Sequence, residues 1–185
     1  MLVLVGKTTA GKTLISQKLI AAKGFHNIVT YTTRKMRDDE IQDVTYHYIN
    51  KEEFEQKINK GFFAEWIQMN TSAGVVYYGS AKKDFKNADS NTVAILTPDG
   101  VRNLREWGIP MTVIYVYANE ITIGIRLRER GDNPNDALQR VEYDNGIFQD
   151  IDALADAIVF NNLEDDIDTV VNSVIKWYDA LKYTE

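Results

Sequence analysis

The chain opens on four apolar residues, Leu2-Val3-Leu4-Val5, and stops the run with Gly6. From Lys12 the apolar positions Leu14, Ile15, Leu19 and Ile20 recur with the spacing of one helix face, which predicts strand, glycine loop and helix in succession. Three later runs of strand length, at 92–96, 111–116 and 157–160, are each followed by a helical pattern, at 101–107, 120–129 and 165–177. Such alternation predicts an α/β fold, a parallel sheet with helices on both faces. Between Ile28 and Phe85 the texture turns polar and aromatic, with Tyr31, Tyr46, Tyr48, Trp66, Tyr77 and Tyr78 among turn residues and a helix at 52–58. This stretch reads as an inserted lobe, with Phe62, Trp66 and Tyr77 expected in its core and Tyr31 and Tyr48 as packing. Gly131-Asp132-Asn133-Pro134 then divides two helical segments, the second at 135–149. No internal repeat or low-complexity tract is visible.

With 185 residues, 44% of them apolar and 26% charged, there is apolar material for one core and one domain. The 27 acidic residues outnumber 21 basic ones, for a net charge of −6, which argues against a broadly basic nucleic-acid-binding surface. Any bound anion must be met by local clusters. The absence of cysteine excludes disulfides, thiolate metal sites and thiol nucleophiles, and His26 and His47 have no partner pattern that would make a metal site. Residues 1–6 turn polar too soon for a signal peptide, and no stretch approaches the roughly 20 apolar residues of a membrane helix. The expectation is a soluble cytoplasmic protein with no leader or tail beyond its fold and no membrane or nucleic-acid partner, either monomer or homodimer. The Asn70-Thr71-Ser72 sequon is then idle, and the acidic run 164–166 with Asp168 reads as a solvated helix start.

Gly6-Lys7-Thr8-Thr9-Ala10-Gly11-Lys12-Thr13 carries Gly, four residues, Gly, Lys and Thr between the predicted strand and helix. The glycines let successive backbone N–H groups turn into one concavity at a helix N-terminus, where the partial positive charge favours a polyphosphate. Lys12 is then expected on the β and γ phosphates of the bound nucleotide and Thr13 on a magnesium ion bridging them. Arginines gather in two places: Arg34 and Arg37 in the lobe, and Arg126, Arg128, Arg130 and Arg140 around the break at 131–134. Two cation clusters and a phosphate loop predict two phosphorylated ligands, because guanidinium groups stay charged and grip phosphate bidentately. Arg126 and Arg130, four apart, would also suit an ordinary solvated helix face. The Arg130-Gly131 helix end reads instead as part of a flap that closes over the loop and excludes water.

In this order the motifs resemble those of guanylate kinases, nucleoside monophosphate kinases of the phosphate-loop superfamily, over nearly the whole chain. The resemblance lies in Thr30-Tyr31-Thr32-Thr33-Arg34-Lys35-Met36-Arg37 with Glu40 and Tyr46 downstream, in Phe63-Ala64-Glu65-Trp66, and in Tyr77-Tyr78-Gly79-Ser80. It continues through Arg126-Leu127-Arg128-Glu129-Arg130-Gly131 with Arg140, and Ile158-Val159-Phe160-Asn161-Asn162. It implies a P-loop three-layer α/β sandwich with a central parallel sheet, an inserted mixed-sheet lobe and a helical lid. The core would comprise 1–29, 87–125 and 150–185, the acceptor lobe 30–86 and the lid 126–149. It also implies transfer of the ATP γ-phosphoryl group to GMP, and to dGMP, with Mg2+. By the same resemblance Glu65 would read guanine N1–H and the 2-amino group, Thr30 would contact O6 and Ser80 would assist near the base. Arg34, Arg37, Tyr46 and Tyr78 would surround the acceptor 5′-phosphate. Lys12, Arg126, Arg130 and Arg140 would hold the transferring group, with residues Gly6 to Thr13 on ATP and Asn161 near the donor base. No general base is required, because the acceptor oxygen belongs to an ionised phosphate.

Three features depart from the family pattern. The stretch 66–77 is longer, which predicts an extended hairpin tip around Asn70-Thr71-Ser72-Ala73-Gly74; Met36 replaces proline between the two arginines; and Thr97-Pro98-Asp99-Gly100 stands where the pattern has Leu-Asp-x-Asp-x-Gln-Gly. Thr97 cannot supply a carboxylate's charge for the hydrated magnesium or the acceptor, which leaves Asp99 as the substitute. Two other readings stay open: a binding module of this fold without catalysis, and a kinase whose acceptor is another nucleotide or a sugar phosphate.

Overall fold

Strand β1 (Leu2–Val5) is buried along its whole length, which is why its sequence is apolar at every position rather than at alternate ones. It lies at the centre of a parallel sheet of order β2-β7-β1-β8-β9, where β2 is His26–Asn27, β7 Thr92–Ile95, β8 Thr112–Tyr117 and β9 Ala157–Phe160. The computed structural model describes residues 1–38, 40–72 and 74–182. Leu2 and Leu4 pack with Ile15 and Leu19 of α1 (Lys12–Lys23), Ile123 of α5 (Glu120–Glu129) and Val170 and Val174 of α8 (Ile167–Leu181). Val3 and Val5 point the other way, toward Val101 and Leu104 of α4 (Pro98–Glu106) and Ile151 of α7 (Ile151–Leu154). The alternation of one strand thus fills two cores, the expected three-layer α/β arrangement.

Helix ends depart from the periodicity where caps decide them. Thr97 Oγ1 accepts the Gly100 N–H at 3.1 Å and Pro98 takes the first turn, so α4 begins ahead of the expected 101. Asp166 caps α8 by accepting the Thr169 N–H at 2.9 Å, so the acidic run precedes the helix and α8 continues to Leu181. The segment α3 (Lys82–Lys86) and α7 are too short to show a period.

The polar stretch forms a second, mixed sheet of order β4-β3-β6-β5, with β3 Tyr31–Thr32, β4 His47–Tyr48, β5 Phe63–Thr71 and β6 Gly74–Ala81. Its core stacks Phe54 of α2 (Lys51–Asn59) on Phe63 and Tyr77, at centroid distances of 4.4 and 5.2 Å, with Tyr31 and Phe62 against them. Trp66, expected in this core, is instead 45% exposed. The β5–β6 register shifts between Phe63 and Glu65, so that Phe63 fills the lobe core, Ala64 joins the core around Val101, and Glu65 turns toward α4. At the far end of the hairpin, Ser72 donates from both N and Oγ to Asp136 of α6 (Pro134–Ile147), at 2.8 Å each. The lengthened hairpin therefore reaches the helix that follows the Gly131 break; Ala73, part of the expected tip, lies outside the described residues. Among the described residues no helix is long and apolar enough to cross a membrane.

Candidate active site

The loop between β1 and α1 owes its shape to two glycines. A Cβ on Gly6 would meet the Val116 carbonyl oxygen at 2.6 Å, and Gly11, the N-cap of α1, has φ of 97°, a conformation that costs side-chain-bearing residues strain. Lys12 folds its Nζ back onto the carbonyl oxygens of Gly6 and Lys7, at 2.5 and 2.9 Å. Burial pushes its ammonium down to about 8; Asp144 opposes that shift, while Arg140 and Arg130 add to it. Thr8, Thr9 and Ala10 complete the turn, and Thr13 stands exposed in the first turn of α1 beside Lys12.

The arginines expected at this end have different partners. Arg126 donates to the carbonyl oxygens of Thr9, Asn161 and Asn162 at 3.1, 3.0 and 3.3 Å, bracing the loop against the end of β9. Burial lowers its pKa. Arg130 is exposed and pairs with Asp132 through Nε and Nη2. Arg140 reaches Met69 of β5 and the Asp144 carboxylate, 3.3 Å from Nε. Asn161, expected near the donor base, is buried behind the loop and gives its side-chain N–H to the Ala10 carbonyl at 2.7 Å. Its contact in this structure is with the loop backbone, which it props from below.

In the lobe, Glu40 grips Arg34 bidentately at 2.9 and 2.6 Å and accepts the Arg37 N–H at 2.8 Å. Burial favours a neutral Glu40, but hydrogen bonds from the Arg34 guanidinium and the Arg37 N–H outweigh it and hold the carboxyl at about 2. The Arg34 guanidinium lies over the Tyr46 ring at 5.4 Å, and Tyr46 meets Tyr78 edge-on at 6.1 Å, so Arg34, Tyr46 and Tyr78 converge. Arg37 is exposed nearby, and Thr30, just ahead of β3, accepts the His47 N–H through its carbonyl oxygen.

Glu65 faces the gap between lobe and parallel sheet. Its Oε2 accepts from Thr97 Oγ1 at 2.9 Å and its Oε1 from Ser80 Oγ at 3.4 Å. A Cβ on Gly100 would strike the Glu65 carboxylate, so a larger residue there would push that side chain from its place. Burial drives the Glu65 carboxyl up to about 7, against the two hydroxyl donors and with the help of Asp99. Asp99 itself pairs with Arg102 at 2.6 Å. Thr97, which in sequence reads as a lost carboxylate, thus has a task of its own. Because its oxygen is committed to the Gly100 N–H, its hydroxyl hydrogen is directed at Glu65. Thr97→Val should therefore weaken whatever Glu65 binds, raising the acceptor KM about fivefold to tenfold at near-constant kcat, as expected for a lost positioning hydrogen bond, with Thr97→Ser restoring it in steady-state assays.

Among the described residues no three acidic or histidine side chains cluster as a metal cage. The exposed Thr13 hydroxyl is a hard oxygen donor at the loop, which suits a magnesium ion carried in largely on nucleotide phosphates. A loop partner that sequence reasoning missed is Asp144, 2% exposed and hydrogen-bonded to the Thr8 N–H at 2.5 Å.

The family model for guanylate kinase matches residues 1–178. A guanylate kinase of Helicobacter hepaticus is 26% identical over 193 aligned positions, covering 100% of this chain and 92% of that protein. One from Aster yellows witches'-broom phytoplasma is 30% identical over 158, covering 80% and 72%. The crystal structure of guanylate kinase from Anaplasma phagocytophilum superposes with a TM-score of 0.69 at 19% identity, over 100% of this chain and 86% of that one, a likeness of fold. Phosphate loop, mixed-sheet lobe and matched sequence model agree, and the chain belongs to the guanylate kinase family, enzymes that phosphorylate nucleoside monophosphates.

Proposed function

We propose that this enzyme transfers the γ-phosphoryl group of ATP to GMP, and to dGMP, giving ADP and the corresponding diphosphate. The observation that carries the acceptor's identity is the Glu65 carboxylate, held between Thr97 and Ser80 in the gap between lobe and parallel sheet. Guanine offers two adjacent donors, N1–H and the 2-amino group, to such an acceptor, whereas adenine presents an acceptor at N1 and would leave the carboxylate unsatisfied. Thr30 would lie against O6. Arg34, fixed in advance by Glu40, would grip the 5′-phosphate with Arg37, Tyr46 and Tyr78, and Asp99 would stand at the acceptor's edge.

The loop N–H groups and Lys12 would take the donor phosphates, while Arg130 and Arg140, leaving Asp132 and Asp144, would close on the transferring group. Arg126 and Asn161 would act on the donor through the shape of the loop they brace. Magnesium, held at Thr13 and on the phosphates, would neutralise charge on the donor's β and γ oxygens. Chromatographic analysis of ATP incubated with GMP, AMP, CMP or UMP should show GDP far ahead of any other product. Absence of GDP above background at saturating magnesium would overturn the proposal, and binding of GMP and ATP without turnover would mark a module that binds nucleotides only.

A further inference from the structure

Asp144 belongs to none of these roles, and its surroundings are unusual for a carboxylate. It sits 2% exposed near the end of α6, with Oδ2 accepting the Thr8 N–H at 2.5 Å and Oδ1 lying 3.3 Å from Arg140 Nε. The next residue repeats the tie, since Asn145 Oδ1 accepts from Lys7 Nζ at 2.6 Å. Asp144 is also the anion that supports the charge of Lys12. A buried carboxylate is tolerated where cations and N–H donors replace its water. The groups that do so here are a phosphate-loop N–H and a lid-side guanidinium, two kinds of partner that a nucleotide phosphate also requires.

We infer that Asp144 is an internal anion of the donor site: its carboxylate holds Thr8 N–H and Arg140 in a phosphate-binding arrangement and exchanges with the donor phosphate, which must displace it. The exchange is one-sided in charge, because a polyphosphate brings more negative charge and more acceptor oxygens than one carboxylate. As the carboxylate withdraws, α6 shifts, and Arg140 passes from Asp144 to the phosphate. Donor affinity is thereby reduced by the free energy of the internal contacts that binding breaks. This inference rests on the reading that the loop takes a donor phosphate, and the experiment separates the two.

ATP with magnesium, inorganic pyrophosphate and GMP are titrated calorimetrically into the parent, Asp144→Asn and Asp144→Ala, with thermal midpoints recorded alongside. Asp144→Asn keeps an oxygen for the Thr8 N–H and removes only the charge, so it remains informative even where the alanine variant fails to fold. The expected result is that Asp144→Asn binds ATP and pyrophosphate about tenfold tighter, the scale of one lost competing charge-assisted contact, with GMP affinity within twofold. A folded Asp144→Asn with unchanged or weaker ATP affinity overturns the inference, including the case of a lowered thermal midpoint alone, which would mark Asp144 as a structural strut. A parent protein that ignores ATP and pyrophosphate overturns the donor-site reading and the inference with it.

Discussion

Lys12→Met should lower kcat by about 10²- to 10³-fold, the scale of removing one preorganised charge from a transition state, while leaving GMP affinity unchanged. The loop keeps its glycines and the Asn161 and Arg126 braces, so the fold around it survives the loss of the ammonium. What disappears is the ammonium that the loop folds over its own Gly6 and Lys7 carbonyl oxygens. The stability consequence has the opposite sign. Lys12 is depressed from 10.5 to about 8, so between those values the unfolded chain holds more protons than the native one and stability rises with pH. Below 8 the full cost of the desolvated charge is present, and removing it offsets the lost hydrogen bonds to Gly6 and Lys7. Calorimetric unfolding at pH 7 should accordingly find Lys12→Met no less stable than the parent. ATP should raise the thermal midpoint of the parent by more than that of the variant.

The phosphate loop was legible in the sequence because everything that shapes it is local: an apolar strand, two glycines and a helix start within thirteen residues. The second sheet was visible only as a change of texture, since β3 and β4 are two residues each and their pairing is set by tertiary contacts. At the site, sequence order told which side chains reach the loop but not which of their polar atoms are already engaged. Arg126 and Asn161, expected on the transferring group and near the donor base, hydrogen-bond in the structure to loop carbonyls. Thr97 read as a deficit because a residue type was compared with a pattern, whereas the structure shows what its hydroxyl touches. Asp144 gave no signal at all: it lies 136 residues from Thr8, on a helix whose charged positions look solvated in one dimension.

Glu65→Gln should reduce kcat/KM for GMP by about 10- to 100-fold, the 1–3 kcal/mol of an unsatisfied buried partner, and narrow the preference over AMP. The amide would oppose one donor to the donors of guanine where the carboxylate opposes two acceptors. The same substitution should stabilise the protein, and pH separates the two effects. The folded pKa of Glu65 is raised from 4.5 to about 7, so between those values the native state binds more protons than the unfolded chain, and stability falls as pH rises. Below 4.5 the two states are equally protonated and the group contributes nothing. Above 7 the penalty is complete, roughly 2 kcal/mol after allowing for partial exposure of the side chain. Glu65→Gln should therefore unfold later than the parent at pH 8 and together with it near pH 4. Binding follows the same logic in reverse: guanine's donors favour the ionised carboxylate, so GMP should bind about tenfold more tightly at pH 8 than at pH 6 and release a proton near neutrality. Titrations in buffers of different ionisation enthalpy should detect that proton in the parent and find in Glu65→Gln only the smaller release from the GMP phosphate, whose second pKa is about 6. Affinity that stays flat across this range in the parent would mean that Glu65 does not meet the base, and the assignment of the acceptor would fall with it.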